Sequence, residues 1–160
     1  MHVRLSPRLQ GDIGEWSAIG WLIHQGAKVF LPLGHSPDVD LIADFGDRVA
    51  RVQVKTSTVC RVKRWDVALA TRGGNQSWSG VAKLFRPGQC DFLFVYVGDG
   101  RRWFIPSSAV EGGSGIRLGG PKYEDYEIES DVPLATEAER RIATLADPWR
   151  GSGAVKRARL

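Results

Sequence analysis

The stretch Val39-Asp40-Leu41-Ile42-Ala43-Asp44-Phe45-Gly46-Asp47-Arg48-Val49-Ala50-Arg51-Val52-Gln53-Val54-Lys55-Thr56 decides the fold. Two apolar-rich runs flank the turn Phe45-Gly46-Asp47, which predicts a hairpin with strands over 39–44 and 48–56. Side chains alternate along a strand, so Val52 and Val54 take one face while Arg51, Gln53 and Lys55 take the other. Gln53 and Lys55 therefore point the same way, next to the strand that carries Asp40. Aspartate is disfavoured in strands, yet Asp38, Asp40 and Asp44 share one face here. An exposed polar face would explain either strand taken alone.

On the N-terminal side, Ile13, Trp16, Ile19, Leu22 and Ile23 recur at helical spacing. Asp12 fits an N-cap, Glu15 the matching capping-box position, and Gly26 a C-terminal stop, which predicts a helix over 12–25. On a helical wheel Glu15 falls between Ile19 and Leu22, inside the apolar arc. It either folds back on Asp12 as a capping residue or faces the core, where a carboxylate needs a partner. On the C-terminal side, strands are expected over 28–32 and 59–69, the latter continuing the sheet, with a loop over 71–80. A second hairpin over 91–97 and 101–105 turns at Gly98-Asp99-Gly100 and ends at Pro106, before a short helix over 107–110. A terminal helix is expected over 136–146. The order of elements predicts one α/β domain over 1–147 with a central mixed sheet flanked by helices, and a basic, flexible tail over 148–160.

The 160 residues are 42% hydrophobic and 25% charged, which fits a folded domain and argues against disorder. No apolar run approaches a membrane span, and Met1–Gln10 has no apolar signal segment, so a cytoplasmic protein is expected. Cys60 and Cys90 stand alone, and His24 and His35 are scattered, which excludes a zinc finger and a disulfide framework. Ser107 and Ser108 have no evident histidine partner for nucleophilic catalysis. Trp16, Trp21, Trp65, Trp103, Phe92 and Phe94 read as core or interface aromatics. Residues 48–102 hold 11 basic side chains against 3 acidic ones, and residues 148–160 hold 4 basic and none acidic. That distribution suits a polyanionic partner.

Together, Glu15 on a helix and Asp40, Gln53 and Lys55 on two adjacent strands resemble the active-site set of the PD-(D/E)XK nuclease superfamily. There the first acidic residue lies on a helix before the sheet, the aspartate on the second strand and the (D/E)xK on the third. Gln53 stands in place of the usual acid, a variant similar to that of group I intron-encoded homing endonucleases. Further echoes are Cys90-Asp91-Phe92-Leu93, Trp103-Phe104-Ile105-Pro106 and Lys122-Tyr123-Glu124-Asp125-Tyr126-Glu127. The resemblance covers about residues 10–130 and implies a restriction-endonuclease-like α/β core. It implies an Mg²⁺-dependent endonuclease cutting double-stranded DNA, with Mn²⁺ able to substitute. Asp40 is the main expected metal ligand, with Glu15 and the Val54 carbonyl beside it, and Asp38 is its rival. Lys55 is expected to orient or deprotonate the attacking water and to stabilise the phosphorane.

Arg61, Lys63, Arg64, Arg72, Gln76, Lys83 and Arg86 are the expected DNA contacts, with Asn75 and Trp78 in reach of bases. By analogy a homo-oligomer, dimer or tetramer, is expected. The alternatives are a restriction or Holliday-junction resolving nuclease of the same fold, or a DNA-binding module whose site has decayed through Gln53.

Overall fold

The computed structural model describes residues 5–34, 36, 38–72 and 82–131. The expected terminal helix, the tail, His35, Asn75, Gln76 and Trp78 lie outside them. Helix α1 spans Pro7–His24 and starts before the expected Asp12. Ser6 is its N-cap, with Oγ accepting the Leu9 N–H at 3.2 Å, and Pro7 occupies the first turn, where no N–H is needed. Asp12 and Glu15 are therefore mid-helix residues, and the capping-box role for Glu15 is excluded. Gly26, at φ +85°, sits just past the end of the helix, where glycine accepts a left-handed backbone.

The strands follow as β1 (Lys28–Phe30), β2 (Leu41–Asp44), β3 (Val49–Ser57), β4 (Cys60–Arg61), β5 (Arg64–Ala68), β6 (Thr71–Arg72), β7 (Ala82–Lys83), β8 (Phe92–Val97), β9 (Arg102–Pro106), β10 (Gly115–Leu118) and β11 (Glu127–Ile128). A six-stranded mixed sheet has the order β1-β2-β3-β8-β9-β11, in which only β3 and β8 run parallel. Both expected hairpins, β2–β3 and β8–β9, are present. The expected strand over 28–32 stops at Phe30. A parallel pair cannot be set by a tight turn; here Arg51 and Asp91 align it. The Asp91 carboxylate accepts the Arg51 main-chain N–H at 2.7 Å and its Nη2 at 2.9 Å, while the Asp91 N–H returns to the Arg51 carbonyl at 2.8 Å. Arg51 holds the Asp91 carboxyl below its ordinary pKa.

Alternate residues of β8 feed two cores. Phe94 and Tyr96 join Leu41, Ala43, Val52, Ala18 and Leu22 beneath α1. Leu93, Val95 and Val97 join Trp65, Val67, Leu118 and Trp103 on the opposite face. Among the described residues, that second face is covered by a small three-stranded sheet, β10-β5-β4, and not by an α-helix. The stretch 59–69 therefore does not continue the main sheet. It folds into a separate hairpin because Val62 and Lys63 adopt left-handed φ values of 50° and 58°. This backbone costs about 1–2 kcal/mol per residue, a cost that burial of Trp65, worth about 1.5–3 kcal/mol, can offset. Of the expected core or interface aromatics, Trp65, Trp103 and Phe94 are buried, whereas Trp16 is 72% exposed. Ser107 is structural: its Oγ donates to the Cys90 carbonyl at 2.6 Å. No described helix is long and apolar enough to cross a membrane.

Gly14 sets the height of α1 above the sheet. A Cβ there would overlap Thr56 Cγ2 on β3 and touch Val54. Buried Arg102 ties the helix laterally, donating Nη1 to Ser17 Oγ and to Asp131 Oδ2, both at 3.1 Å. Gly14→Ala is expected to destabilise by about 1–3 kcal/mol through overpacking, read as a lower melting temperature. Adding Thr56→Ser, which removes the obstructing methyl, should recover most of the loss. An unaltered melting temperature for Gly14→Ala would show that the helix sits further from β3.

Candidate active site

Strand β2 pairs with β3 from Asp44 opposite Val49 to Leu41 opposite Val52, and the Asp40 N–H adds a bond to the Val52 carbonyl at 2.9 Å. There the two strands part, while β3 runs on to Ser57 alongside β8. At the fork the Asp40 side chain takes the position of the next ladder partner: its Oδ2 accepts the Val54 N–H at 2.7 Å. The N–H and carbonyl of one strand residue point to the same side, so the Val54 carbonyl faces this same open edge.

The side chains of Gln53 and Lys55 lie on the face of β3 away from α1, in register with Leu93 and Val95 of β8. Gln53 is 3% exposed. Its main-chain N–H bonds the thiol of buried Cys90, and burial raises that thiol to a pKa of about 11, which leaves it unreactive. Lys55 is half-buried. Desolvation lowers its pKa, while the negative charge of Asp40 acts in the opposite direction. Glu15 comes from α1, next to the Gly14 seat on Thr56. Burial raises its pKa first, followed by the charges of Asp40 and Asp12. Asp40 is thus the common electrostatic neighbour of Glu15 and Lys55, which approach it from opposite sides of the open edge.

Asp38, the rival aspartate, forms an ion pair with Lys83, Nζ to Oδ2 at 2.6 Å. Lys83 is thus engaged by a carboxylate beside the site. Arg61, Lys63 and Arg64 cluster at the exposed β4–β5 turn, Arg86 is exposed, and Arg72 lies in β6. Sequence reasoning missed the Gly14 seat, whose signal was a glycine inside an apolar helical repeat. It also missed the Asp38–Lys83 pair, which no spacing announces.

Among the described residues, no three His, Cys, Asp or Glu side chains gather where they could hold a metal. Gln53, next to these groups in sequence order, carries an amide and no charge. What remains is all oxygen: two mutually repelling carboxylates, an amide and a main-chain carbonyl. This chemistry fits a hard cation; burial, and then the charges of Asp40 and Asp12, raise the Glu15 pKa, and a cation there would favour its charged form.

Residues 5–119 match the PD-(D/E)XK endonuclease family, and the chain belongs to that family. Among solved structures, it is similar to a bacterial homing endonuclease, I-Ssp6803I, at 25% identity and a TM-score of 0.64, over 89% of this chain and 96% of that one. No curated protein sequence matches. The α/β fold is that of the restriction-endonuclease-like enzymes.

A raised folded-state pKa implies a stability contribution that is present below the ordinary carboxylate pKa and lost as the pH rises through the folded value. Glu15→Gln, neutral at every pH, is therefore expected to melt above the wild type at neutral pH without added metal. The two curves should converge near pH ~4, around the ordinary glutamate pKa. A variant that melts below the wild type at neutral pH would show that the Glu15 charge is already compensated.

Proposed function

We propose that this protein is an Mg²⁺-dependent endonuclease that hydrolyses phosphodiester bonds of double-stranded DNA in the manner of a homing endonuclease. The observation that carries the proposal is the Asp40 carboxylate docked on the Val54 N–H at the open edge of β3, where its charge reaches both Glu15 and Lys55. Asp40, Glu15 and the Val54 carbonyl would hold the metal, with the Gln53 amide oxygen nearby. When bound, the cation supplies Lewis-acid stabilisation of the phosphorane and lowers the pKa of the attacking water.

The chain's own residues do the rest. The Val54 N–H fixes the Asp40 carboxylate against the edge of β3. Lys55, with its pKa lowered by desolvation, gives up a proton more readily than an ordinary lysine and so suits positioning or deprotonating a water. In its charged form it neutralises developing phosphorane charge. Gln53 contributes an oxygen but no charge, which implies weaker metal affinity than three carboxylates would give. The exposed Arg61, Lys63, Arg64 and Arg86 supply attraction to phosphates. A homo-oligomer, dimer or tetramer, would present more than one such site to a duplex, and a cytoplasmic location suits this substrate.

Plasmid cleavage in Mg²⁺ is expected to fall by at least about 10²–10³-fold in Asp40→Ala and in Lys55→Ala, as for loss of a transition-state stabiliser, and to stop in EDTA. Undiminished cleavage by both variants would remove the site. A decayed DNA-binding module is favoured only if the wild type binds duplex yet takes up neither Mg²⁺ nor Mn²⁺. DNA affinity should fall steeply with salt, and Arg64→Ala should flatten the log–log slope by about one unit. A flat salt response in the wild type would contradict phosphate contacts.

A further inference from the structure

We propose that the β4–β5 turn is a base-reading element, in which Val62 makes an apolar contact with base edges in the DNA major groove and Arg61, Lys63 and Arg64 hold it there. The proposal rests on the nuclease function above and adds a residue to it.

Three features of the turn are costly to the folded chain by itself. First, Val62 has φ 50° and Lys63 φ 58°. Two-residue hairpin turns with both residues left-handed favour asparagine and glycine, and a β-branched residue there is an outlier. Second, the Val62 side chain is 95% exposed and gains no packing in return. Third, Arg61 and Arg64 stand opposite each other in the β4–β5 ladder, and like charges directly opposite repel. The adjacent acid, Asp66, is shared: it binds Arg117 at 2.7 Å and Arg61 at 3.6 Å. A grooved polyanion relieves the repulsion and gives the exposed valine a partner.

The base of the turn is rigid. Trp65 is buried and packs so closely over Gly98 that a Cβ there would lie 2.9 Å from its ring. Strand β10 pairs with β5 as far as Leu118 opposite Trp65, and Gly119 and Gly120 then lie against Lys63 and Arg64, so the β4–β5 ribbon is backed on one side while Val62 stays exposed. A ribbon of this kind fits the major groove, where an apolar side chain can recognise a thymine methyl and arginine can reach guanine or phosphate. Val62 is seven residues from Lys55, so their Cα atoms lie within ~25 Å. This corresponds to about seven base pairs at ~3.4 Å each, which sets the scale of the distance between the base pair read and the bond cut.

The test uses the full chain and its Val62→Asn variant. Asparagine suits the left-handed backbone and leaves the charge unchanged, but it removes the apolar contact. Both proteins are melted, and both select ligands from a randomised duplex library whose cut sites are mapped. The variant is expected to melt at or above the wild type. Its preference should relax about tenfold at one or two base pairs within that seven-pair window, the loss of one good base contact, with its salt slope unchanged. A variant that melts lower, or one that selects the same sequences with the same preference, overturns the proposal. Wild-type protein that selects no duplex at all overturns the nuclease function itself and takes this proposal with it.

Discussion

The hydrogen bond from the Val54 N–H to the Asp40 carboxylate is the interaction on which the rest of the molecule turns. It lies where β2 stops pairing with β3, and it substitutes a side-chain oxygen for the main-chain acceptor that another ladder step would have provided. One consequence is structural: a strand edge that would otherwise carry an unsatisfied donor is closed. The other is chemical. A carboxylate held at a strand edge, with one oxygen already engaged, projects its charge onto a helix residue on one side and a lysine on the other. The opposite shifts of Glu15 and Lys55 show partial burial working against both charges. A site in this state has charge to neutralise, in keeping with a family of endonucleases.

The surrounding fold serves to hold that fork in place. The Arg51–Asp91 clamp sets the parallel register that lets β3 outrun β2. Gly14 lets the helix descend onto Thr56, bringing the following glutamate toward the strand edge. The Ser17–Arg102–Asp131 cluster fixes the helix against the far strands. Each contact joins segments remote in sequence, so the geometry of the site depends on the whole sheet and not on one loop. Gln53 is nearly fully buried and uncharged, so it adds no third negative charge beside Asp40 and Glu15.

Much of this was legible from residue order because local periodicity and turn chemistry agreed. The alternation Val52-Gln53-Val54-Lys55 places glutamine and lysine on one face, as the register with Leu93 and Val95 demands. Gly46 and Gly100 marked the two hairpins. Errors arose where a local rule was overridden. The helix begins at Ser6-Pro7 because those residues cap it, yet Gly11 and Gly14 weaken the apparent helical signal there. The β4–β5 turn carried no asparagine or glycine, so nothing in the sequence broke the stretch 59–69. Strands β10 and β11 draw their pairing from Trp65–Ala68 and Arg102–Trp103, contacts that glycine-rich and acidic segments do not encode locally. The resemblance to a nuclease site rested on four residues in three elements, and electrostatics now link three of them, Glu15, Asp40 and Lys55.

The central claim is that Asp40 at the fork organises a divalent-ion site. Crystals of the full chain grown with Mn²⁺ and read by anomalous diffraction test this most directly. The expected peak lies at about 2.1 Å, the range for a small hard cation, from an Asp40 oxygen and the Val54 carbonyl, with Glu15 bound directly or through water. Manganese seated at Asp38 and Lys83, or anywhere that leaves Asp40 uncoordinated, would contradict it.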